Sequence, residues 1–298
     1  MRYTDLQVSG ELRRRAEGMD SWLQHCVVCP HECGTDRTKE AGAFCQATDR
    51  VRIVSFGPHF GEERPLVGRG GSGTIFFGRC NLRCVYCQNY DISQADSGTE
   101  IGPEALADIM LQVQKMGCEN INLVSPTHFT PQILKALLLA AAQGLHLPLV
   151  WNTGTFERLA TLRMLEGVVD IYLPDTKYAD PQVAQRLSGT ADYPRRMREA
   201  LREMHRQVGD LVTDHQGVAV RGIIVRHLVL PGGLAGTAEI MRFIAEELSP
   251  DTYVNVMGQY RPEYRAGEYP EIARSVTVEE VAEGRRLARA AGLRRLDC

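Results

Sequence analysis

Three cysteines stand on one short segment of the chain, Cys80, Cys84 and Cys87, with the spacing C-x3-C-x2-C. The apolar run TIFF at 74–77 comes directly before them and is strand-like, so the thiols are predicted to lie on a loop at a strand end. Two thiols would suit a disulfide or a redox pair, and four would close a tetrahedral zinc site. Three suit a cuboidal 4Fe-4S cluster with one iron open for chemistry; free cysteines or an incomplete zinc knuckle are the simpler alternative.

A second group of cysteines lies nearer the N-terminus, with the spacing C-x2-C-x3-C-x11-C: Cys26, Cys29, Cys33 and Cys45. Four thiolates would close the coordination sphere of a metal, so we expect a structural or electron-relaying centre here. Zinc and a second 4Fe-4S cluster both suit these ligands, and free cysteines in a mobile arm are the alternative. The remaining cysteines, Cys118 and Cys298, are interpreted as ordinary residues.

Charge and hydropathy narrow the setting in which such thiols would work. The net charge is −3 and the isoelectric point is about 6.3, which favours neither a nucleic acid nor a membrane surface as partner. The first 20 residues lack the apolar core of a signal peptide, and the most apolar stretch, 133–151, is interrupted by polar residues and a proline. We therefore expect a cytoplasmic protein, in which nine cysteines serve as thiolates and metal ligands rather than disulfides.

From residue 73 onward the sequence repeats a strand-then-helix pattern six times. The strands are continuously apolar, as buried parallel strands are, and are predicted at 74–77, 121–124, 147–151, 168–173, 218–230 and 252–257. The helices are predicted at 103–116, 131–143, 156–166, 181–208, 238–248 and 278–292. This alternation predicts an α/β fold with a parallel sheet, either doubly wound or curled into a partial barrel.

Polar clusters follow the predicted strands where each strand ends. The cysteines follow the first strand, SPTHF the second, NTGTF the third, PDTKY the fourth, PGG the fifth and GQY the sixth. The carboxyl ends of parallel strands meet at one edge of a sheet, and that edge carries the active site in folds of this type. We therefore expect one polar site at this edge.

Taken together, these motifs resemble the radical S-adenosylmethionine (SAM) enzymes, whose signature is C-x3-C-x2-C with an aromatic residue, here Tyr86, before the last cysteine. The similarity is closest to pyruvate formate-lyase activating enzyme and its uncharacterised homologues. It extends over residues 20–298 through CVVCPHECGTDR, GSGTIFFGRCNLRCVYCQNYDISQ, VSPTHF, DIYLPDTKYAD, RHLVLPGG and MGQY.

The resemblance implies a partial (β/α)6 barrel, which we place at residues 71–298. From the four N-terminal cysteines themselves we expect residues 1–70 to form a cysteine-rich, metal-binding extension. It implies a 4Fe-4S cluster whose open iron chelates SAM, and an electron donor of the flavodoxin or ferredoxin type. One electron then cleaves SAM to methionine and a 5′-deoxyadenosyl radical that abstracts hydrogen. A protein glycine, a peptide and a small molecule remain open as substrates, and a non-enzymatic iron–sulfur or zinc scaffold or sensor is the alternative.

Site residues carry over where this sequence matches the family. The family's Gly-Gly-Glu motif, which binds the amino group of SAM, is replaced by a stretch that contains Ser125, Thr127 and His128. Its acidic residue is missing, so we expect the hydroxyl groups or strand-edge carbonyls to accept those hydrogen bonds. Asn152 and Thr153 stand in the place of the family's Asp-Thr-Asn-Gly turn.

Further along, Asp175 and Lys177 match the family's Asp-x-Lys. In relatives the lysine helps to hold SAM and the aspartate a monovalent cation, although a plain salt bridge would explain the same spacing. Arg226 matches an arginine that relatives share, and Gln259 stands where relatives place a histidine near the adenosine. The cofactor-binding set thus also includes Tyr86, and the catalytic set comprises Lys177 and the three cysteines.

Overall fold

The computed structural model describes residues 2–297. The strands are β1 (Val51–His59), β2 (Ser72–Phe77), β3 (Thr99–Ile101), β4 (Ile121–Val124), β5 (Leu149–Thr153), β6 (Ile171–Thr176), β7 (Val212–Thr213), β8 (Ala219–Leu228), β9 (Tyr253–Met257) and β10 (Arg295–Asp297). The helices are α1 (Tyr3–Val8), α2 (Glu11–Gly18), α3 (Ser21–Gln24), α4 (Arg64–Val67), α5 (Tyr90–Ser93), α6 (Pro103–Lys115), α7 (Thr130–Ala142), α8 (Leu159–Met164), α9 (Pro181–Ser188), α10 (Tyr193–Val208), α11 (Thr237–Phe243) and α12 (Val278–Ala290). Of these helices, none is long and apolar enough to cross a lipid bilayer.

The central sheet has the order β10-β9-β8-β6-β5-β4-β2-β1-β3, with β7 paired to β8. The six predicted strands, β2, β4, β5, β6, β8 and β9, run parallel, and each is followed by helical structure. The predicted α/β class and partial barrel are therefore confirmed. The sequence reasoning missed β10, a seventh parallel strand on β9, and β1 and β3, which are antiparallel at the other edge.

Two strands extend further toward the site than their apolar runs predict. β5 ends at Thr153, where the sequence suggested 151, and β6 ends at Thr176, where it suggested 173. Polar residues continue the ladder there, because Asn152 pairs with Leu173 in the parallel register. Asn152, Thr153 and Asp175 thus lie on strands, which hold them more rigidly than loops would.

Both faces of the sheet are packed, and the inner face is closed by an element from the first 70 residues. The main core lies between the sheet and its helices. A separate apolar cluster joins Leu66 of α4, which is fully buried, to residues in or next to the strands: Val150, Ile171, Leu173, Leu211, Ala219 and Ile224. Helix α4 therefore plugs the inside of the partial barrel. The sequence reasoning did not predict this role.

The N-terminal segment is fastened to the outside of the barrel. The hydroxyl of Tyr3 donates to the carbonyl of Leu147 at 2.8 Å, and Arg15 Nη1 donates to the carbonyl of Met164 at 3.0 Å. Within the predicted extension over 1–70, β1 pairs with β2 and so belongs to the central sheet. The extension and the barrel therefore share one sheet.

Candidate active site

The three cysteines follow β2 on a loop whose first residues take constrained backbone conformations. A Cβ atom on Gly78 would lie 2.9 Å from the Arg52 side chain, so only glycine fits there without a shift. Arg79 has a φ of 72°, a left-handed value that is unfavourable for a side-chain-bearing residue. Its amide donates to the carbonyl of Ile92 at 3.1 Å, and its guanidinium pairs with Asp96 at 2.7 Å. These contacts hold the entry to the cysteine loop.

Each of the three sulfur atoms has a hydrogen-bonding neighbour. The amide of Leu82 donates to Cys80 Sγ at 3.3 Å, and the hydroxyl of Ser188 donates to Cys84 Sγ at 3.0 Å. The hydroxyl of Ser93 lies 3.2 Å from Cys87 Sγ. Such contacts stabilise thiolates and tune the potential of a cluster bound to them.

The thiols open into one cleft of about 230 Å³ at the carboxyl ends of the strands. Nine predicted site residues line it: Cys80, Cys84, Tyr86, Cys87, Ser125, Asp175, Lys177, Arg226 and Gln259. Its apolar wall is formed by Phe76, Phe77, Leu82, Val124, Leu228 and Met257. The structure therefore brings together residues that are up to 179 positions apart in the sequence.

The donor set of this cleft fits an iron–sulfur cluster. Three soft sulfur ligands face one space, and each already has a hydrogen-bonding neighbour. Burial raises the pKa of the Cys80 thiol to about 12 and also raises the pKa of Cys87, so binding a metal there would displace protons. Across residues 2–297, no three His, Cys, Asp or Glu side chains converge as they would around a single ion. A cuboidal cluster spreads its ligands more widely than one ion does.

Behind the cysteines lies a buried ionic cluster centred on Asp175. One carboxylate oxygen accepts from Lys177 Nζ at 3.1 Å, and the other accepts from Arg226 Nε at 2.8 Å. Arg226 also donates to Asn152 Oδ1 at 2.6 Å and lies 3.4 Å from a carboxylate oxygen of Glu62. The salt bridge that would explain the Asp-x-Lys spacing is therefore present, and both of its residues line the cleft.

Electrostatics fix the charges in this cluster. Burial alone would raise the pKa of Asp175, but Arg226 and Lys177 hold it below its usual value. Burial alone would lower the pKa of Lys177, but Asp175 raises it well above the usual value. The pKa of Glu62 is raised by burial, which Arg226 opposes. At neutral pH Lys177 is therefore charged and is held by a charged Asp175.

The end of β4 places one predicted residue in the cleft and turns another away. Ser125 lines the cleft with a left-handed φ of 58°. Thr127 and Thr153 instead donate their hydroxyl hydrogens to the buried carboxylate of Glu157, each at 2.7 Å, and Trp151 Nε1 donates to it at 3.1 Å. Glu157 thus holds the ends of two strands together from behind the cleft.

His128 is also directed away from the cleft. Its Nε2 lies 3.1 Å from the carbonyl of Gly78, and its Nδ1 has no hydrogen-bonding partner among the described residues. Burial and the neighbouring Arg37 lower its pKa to about 3, so the ring is neutral at physiological pH. The position of His128 indicates support of the cysteine loop through Gly78.

A segment after β9 covers one side of the cleft. Gln88 Nε2 donates to the carbonyl of Gln259 at 3.0 Å, and the amide of Arg265 donates to the carbonyl of Val85 at 2.9 Å. The ring of Tyr86 packs against that of Tyr260, with 5.7 Å between centroids. The segment therefore follows the cysteine loop closely.

The N-terminal cysteines lie together but apart from this cleft. Cys26, Cys29 and Cys45 are buried, and Cys33 is partly buried. Cys118 is buried in the core on its own, as expected, whereas Cys298 lies outside the described residues.

The partial barrel with a three-cysteine cleft at its carboxyl edge defines a class of protein, and the comparison with known families agrees with it. Residues 74–215 match the family model of the radical SAM superfamily, so the chain contains a radical SAM domain. That match implies a 4Fe-4S cluster and SAM as cofactors.

Two proteins of Methanocaldococcus jannaschii, both described as uncharacterized, resemble most of the chain. MJ0674 is 35% identical over 274 residues, which cover 89% of this chain and 75% of the relative. MJ0808 is 23% identical over 291 residues, which cover 89% of this chain and 80% of the relative.

Among solved structures, a radical SAM methyltransferase from Sphaerobacter thermophilus shares the fold, with a TM-score of 0.51 and 14% sequence identity. The match covers 76% of this chain and 65% of the methyltransferase, so the chain spans less than two thirds of that protein.

Sequence reasoning missed several residues that support the site. Glu62 reaches Arg226 across 164 positions, and Ser188 reaches Cys84 across 104. Glu157 follows Asn152 and Thr153 by only a few residues. A carboxylate so close to a predicted strand end was the one sequence signal that could have identified it as a supporting residue. The other two depend on tertiary contacts and carry no local pattern.

Proposed function

We propose that this radical SAM enzyme cleaves SAM reductively and uses the product to abstract hydrogen from a substrate. The observation that carries the proposal is one cleft that holds three cysteine sulfurs beside the Asp175–Lys177–Arg226 cluster. When bound, the cluster supplies one electron to SAM, which yields methionine and a 5′-deoxyadenosyl radical able to abstract a hydrogen atom.

The residues of the cleft are proposed to bind different groups according to their charge. Cys80, Cys84 and Cys87 hold three irons and leave the fourth open. The ammonium of Lys177 faces the cleft and is proposed to bind the carboxylate of SAM, a charge-assisted contact in a partly dry site. Asp175 is proposed to orient that ammonium and to help hold a monovalent cation. Its tight pairing with Lys177 supports the first role.

The remaining cleft residues suit the rest of the SAM molecule. The oxygen atoms of Ser125 are proposed to accept from the amino group, in place of the missing family carboxylate. Tyr86 and Gln259 are proposed to flank the adenosine. The remaining predicted residues are proposed to position the site. Thr127 and Thr153 do so through Glu157. Asn152 does so through Arg226, and His128 through the carbonyl of Gly78.

Within this class, the finer proposal is abstraction of hydrogen from a protein glycine, with an electron donor of the flavodoxin or ferredoxin type. It is supported by the motifs shared with pyruvate formate-lyase activating enzyme. A peptide or a small molecule is the alternative substrate. The signal of a glycyl radical in a co-incubated protein, detected by electron paramagnetic resonance, would distinguish the first from the others.

Anaerobic reconstitution with iron and sulfide, followed by SAM and dithionite, tests the proposed reaction. We expect slow formation of 5′-deoxyadenosine and methionine even without substrate. The Cys84→Ala, Cys87→Ala double variant should lose both the cleft cluster and this activity, whereas Cys118→Ala should keep both because Cys118 lies in the core. A reconstituted, reduced wild-type protein that forms no 5′-deoxyadenosine would favour the scaffold or sensor alternative.

A further inference from the structure

The loop that carries the N-terminal cysteines brings four thiols into one region, although no three of them, among residues 2–297, converge as they would around a single ion. The amide of Cys26 donates to the carbonyl of Thr35 at 2.9 Å, and the amide of Gly34 donates back to the carbonyl of Cys26 at 3.0 Å. The Cys29 thiol lies within electrostatic range of the thiols of Cys45, Cys26 and Cys33. A mobile arm would not hold four thiols together in this way.

A buried cation lies beside this thiol group without a carboxylate to balance it. Arg37 is 1% exposed, and its guanidinium donates to the carbonyls of Ala47, His128 and Thr48 at 3.1, 2.6 and 2.6 Å. Over residues 2–297 it forms no ion pair with a carboxylate, and its Nη1 lies 3.9 Å from Cys26 Sγ. A buried charge is costly unless an opposite charge lies nearby.

A metal bound by four thiolates would supply that opposite charge. Four thiolates around a divalent zinc ion, or around an oxidised 4Fe-4S cluster, leave a net negative charge. The buried guanidinium of Arg37 would then face an anionic centre, and its burial would be compensated. The buried charge of Arg37 is therefore a second observation, besides the grouping of the thiols, that indicates a bound metal.

The same loop contacts the cysteine loop of the cleft at two points. His31 Nε2, two residues after Cys29, lies 2.9 Å from the carbonyl of Asn81, which follows Cys80. Arg37 binds the carbonyl of His128, whose ring contacts the carbonyl of Gly78, two residues before Cys80. A metal centre at the N-terminal cysteines would therefore adjoin the catalytic loop.

We propose that Cys26, Cys29, Cys33 and Cys45 bind a second metal centre of the thiolate-seeking class, with Arg37 as its buried countercharge. With four protein ligands its coordination is closed, so it does not bind SAM. A zinc ion and a second 4Fe-4S cluster share this ligand chemistry. The described thiols are spread more widely than the ligands of a single ion, which favours the cluster, and the measured metal distinguishes the two.

Elemental analysis of the anaerobically purified and reconstituted full-length chain tests the proposal. The cleft cluster accounts for about four iron atoms per chain. We expect in addition either about one zinc or about four further iron atoms per chain. A Cys29→Ser, Cys45→Ser variant should lose that additional metal and keep the iron of the cleft, whereas Cys118→Ser should keep both.

The reverse variant, Cys80→Ala with Cys84→Ala and Cys87→Ala, should retain only the second metal. The proposal is supported if this triple variant retains zinc or iron and loses it when Cys29→Ser is added. A wild-type chain offered both metals that binds only the iron of one cluster overturns it, as does unchanged metal content in the Cys29→Ser, Cys45→Ser variant. The wild-type count decides even where a variant does not fold.

Discussion

At the scale of single residues, Asp175 determines how the cleft presents positive charge. It pairs with Lys177 and Arg226 at once, and each side chain of the trio is about one fifth exposed or less. Arg226 also faces the carboxylate of Glu62, whereas the ammonium of Lys177 pairs with Asp175 and lines the cleft. An anionic group of a ligand, such as a carboxylate, is therefore favoured beside Lys177.

Replacing Lys177 by methionine keeps the apolar stem and removes the charge. We expect SAM affinity to fall about 10- to 100-fold, since a hydrogen bond to a charged group is worth about 1.5–3 kcal/mol. Equilibrium binding of SAM to the anaerobic, cluster-loaded protein measures the effect. Lys135→Met is the matched control, because Lys135 pairs with Asp20 on the protein surface. Equal affinities for both variants would remove Lys177 from the SAM site.

Ser125 occupies a backbone conformation that glycine adopts more easily. Its φ of 58° lies in the left-handed region, at the strand end where the family pattern has glycine. A serine therefore costs stability here relative to glycine, and it lines the cleft.

Two substitutions separate the backbone from the hydroxyl at this position. Ser125→Gly should raise the free energy of unfolding by about 1 kcal/mol, because the strain is relieved, and Ser125→Ala should not. Both should weaken SAM binding if the hydroxyl accepts from the amino group. Urea unfolding and SAM titration measure the two effects, and undiminished affinity in both variants would leave only the backbone carbonyl as acceptor.

At the scale of elements, α4 and the residues before it connect the N-terminal segment to the inside of the barrel. Leu66 fills the apolar cluster of the inner face, and Glu63 accepts from Asn255 Nδ2 at 2.9 Å. Glu62 continues from this plug to Arg226, one contact away from Asp175. The plug therefore stabilises the barrel through Leu66 and also places the carboxyl group of Glu62 behind the cleft.

Truncation of Leu66 tests the plug directly. Leu66→Ala should lower the free energy of unfolding by about 2–5 kcal/mol, because it removes buried apolar surface and leaves a cavity. Leu139→Ala on α7 is the control, since Leu139 is partly exposed and should cost far less. Urea denaturation measures both variants, and similar losses would contradict a plug formed by Leu66.

At the scale of the whole molecule, buried neutral histidines make the fold sensitive to acid. Burial lowers the pKa of His227 to about 4, and the ring is held between the carbonyl of Thr176 at 3.0 Å and the hydroxyl of Thr237 at 2.9 Å. In the unfolded chain a histidine binds a proton near pH 6.5. Between about pH 6.5 and pH 4 the unfolded state therefore binds a proton that the folded state does not, and stability falls as the pH falls.

His227→Gln removes this proton uptake and retains a donor and an acceptor. The slope of unfolding free energy against pH should decrease by up to about 1.4 kcal/mol per pH unit within this window. Chemical denaturation at several pH values measures the slope. His215→Gln, in an exposed turn, should leave it unchanged. An unchanged slope in His227→Gln would contradict the buried, neutral ring.

The sequence alone determined three features, because each depends on a local pattern. They are the order of the six strand–helix units, the cysteine loop after β2 and the polar edge of the sheet. Apolar runs mark buried strands, and C-x3-C-x2-C is read without knowledge of the fold. The strand ends at Asn152 and Asp175 were less predictable, because their polar side chains ended the apolar pattern before the hydrogen-bonded ladder ended.

Only the tertiary structure decided which of the strand-end residues face the cleft. Thr127 and Thr153 were placed correctly at strand ends, but a carboxylate behind the sheet, Glu157, holds their hydroxyls. The plug by Leu66 joins segments 84 to 158 positions apart, and the contact of Ser188 with Cys84 spans 104. Long-range contacts of this kind leave no periodicity in the sequence, since they depend on how whole elements pack, and the packing of the first 70 residues against the barrel is where the sequence was least informative.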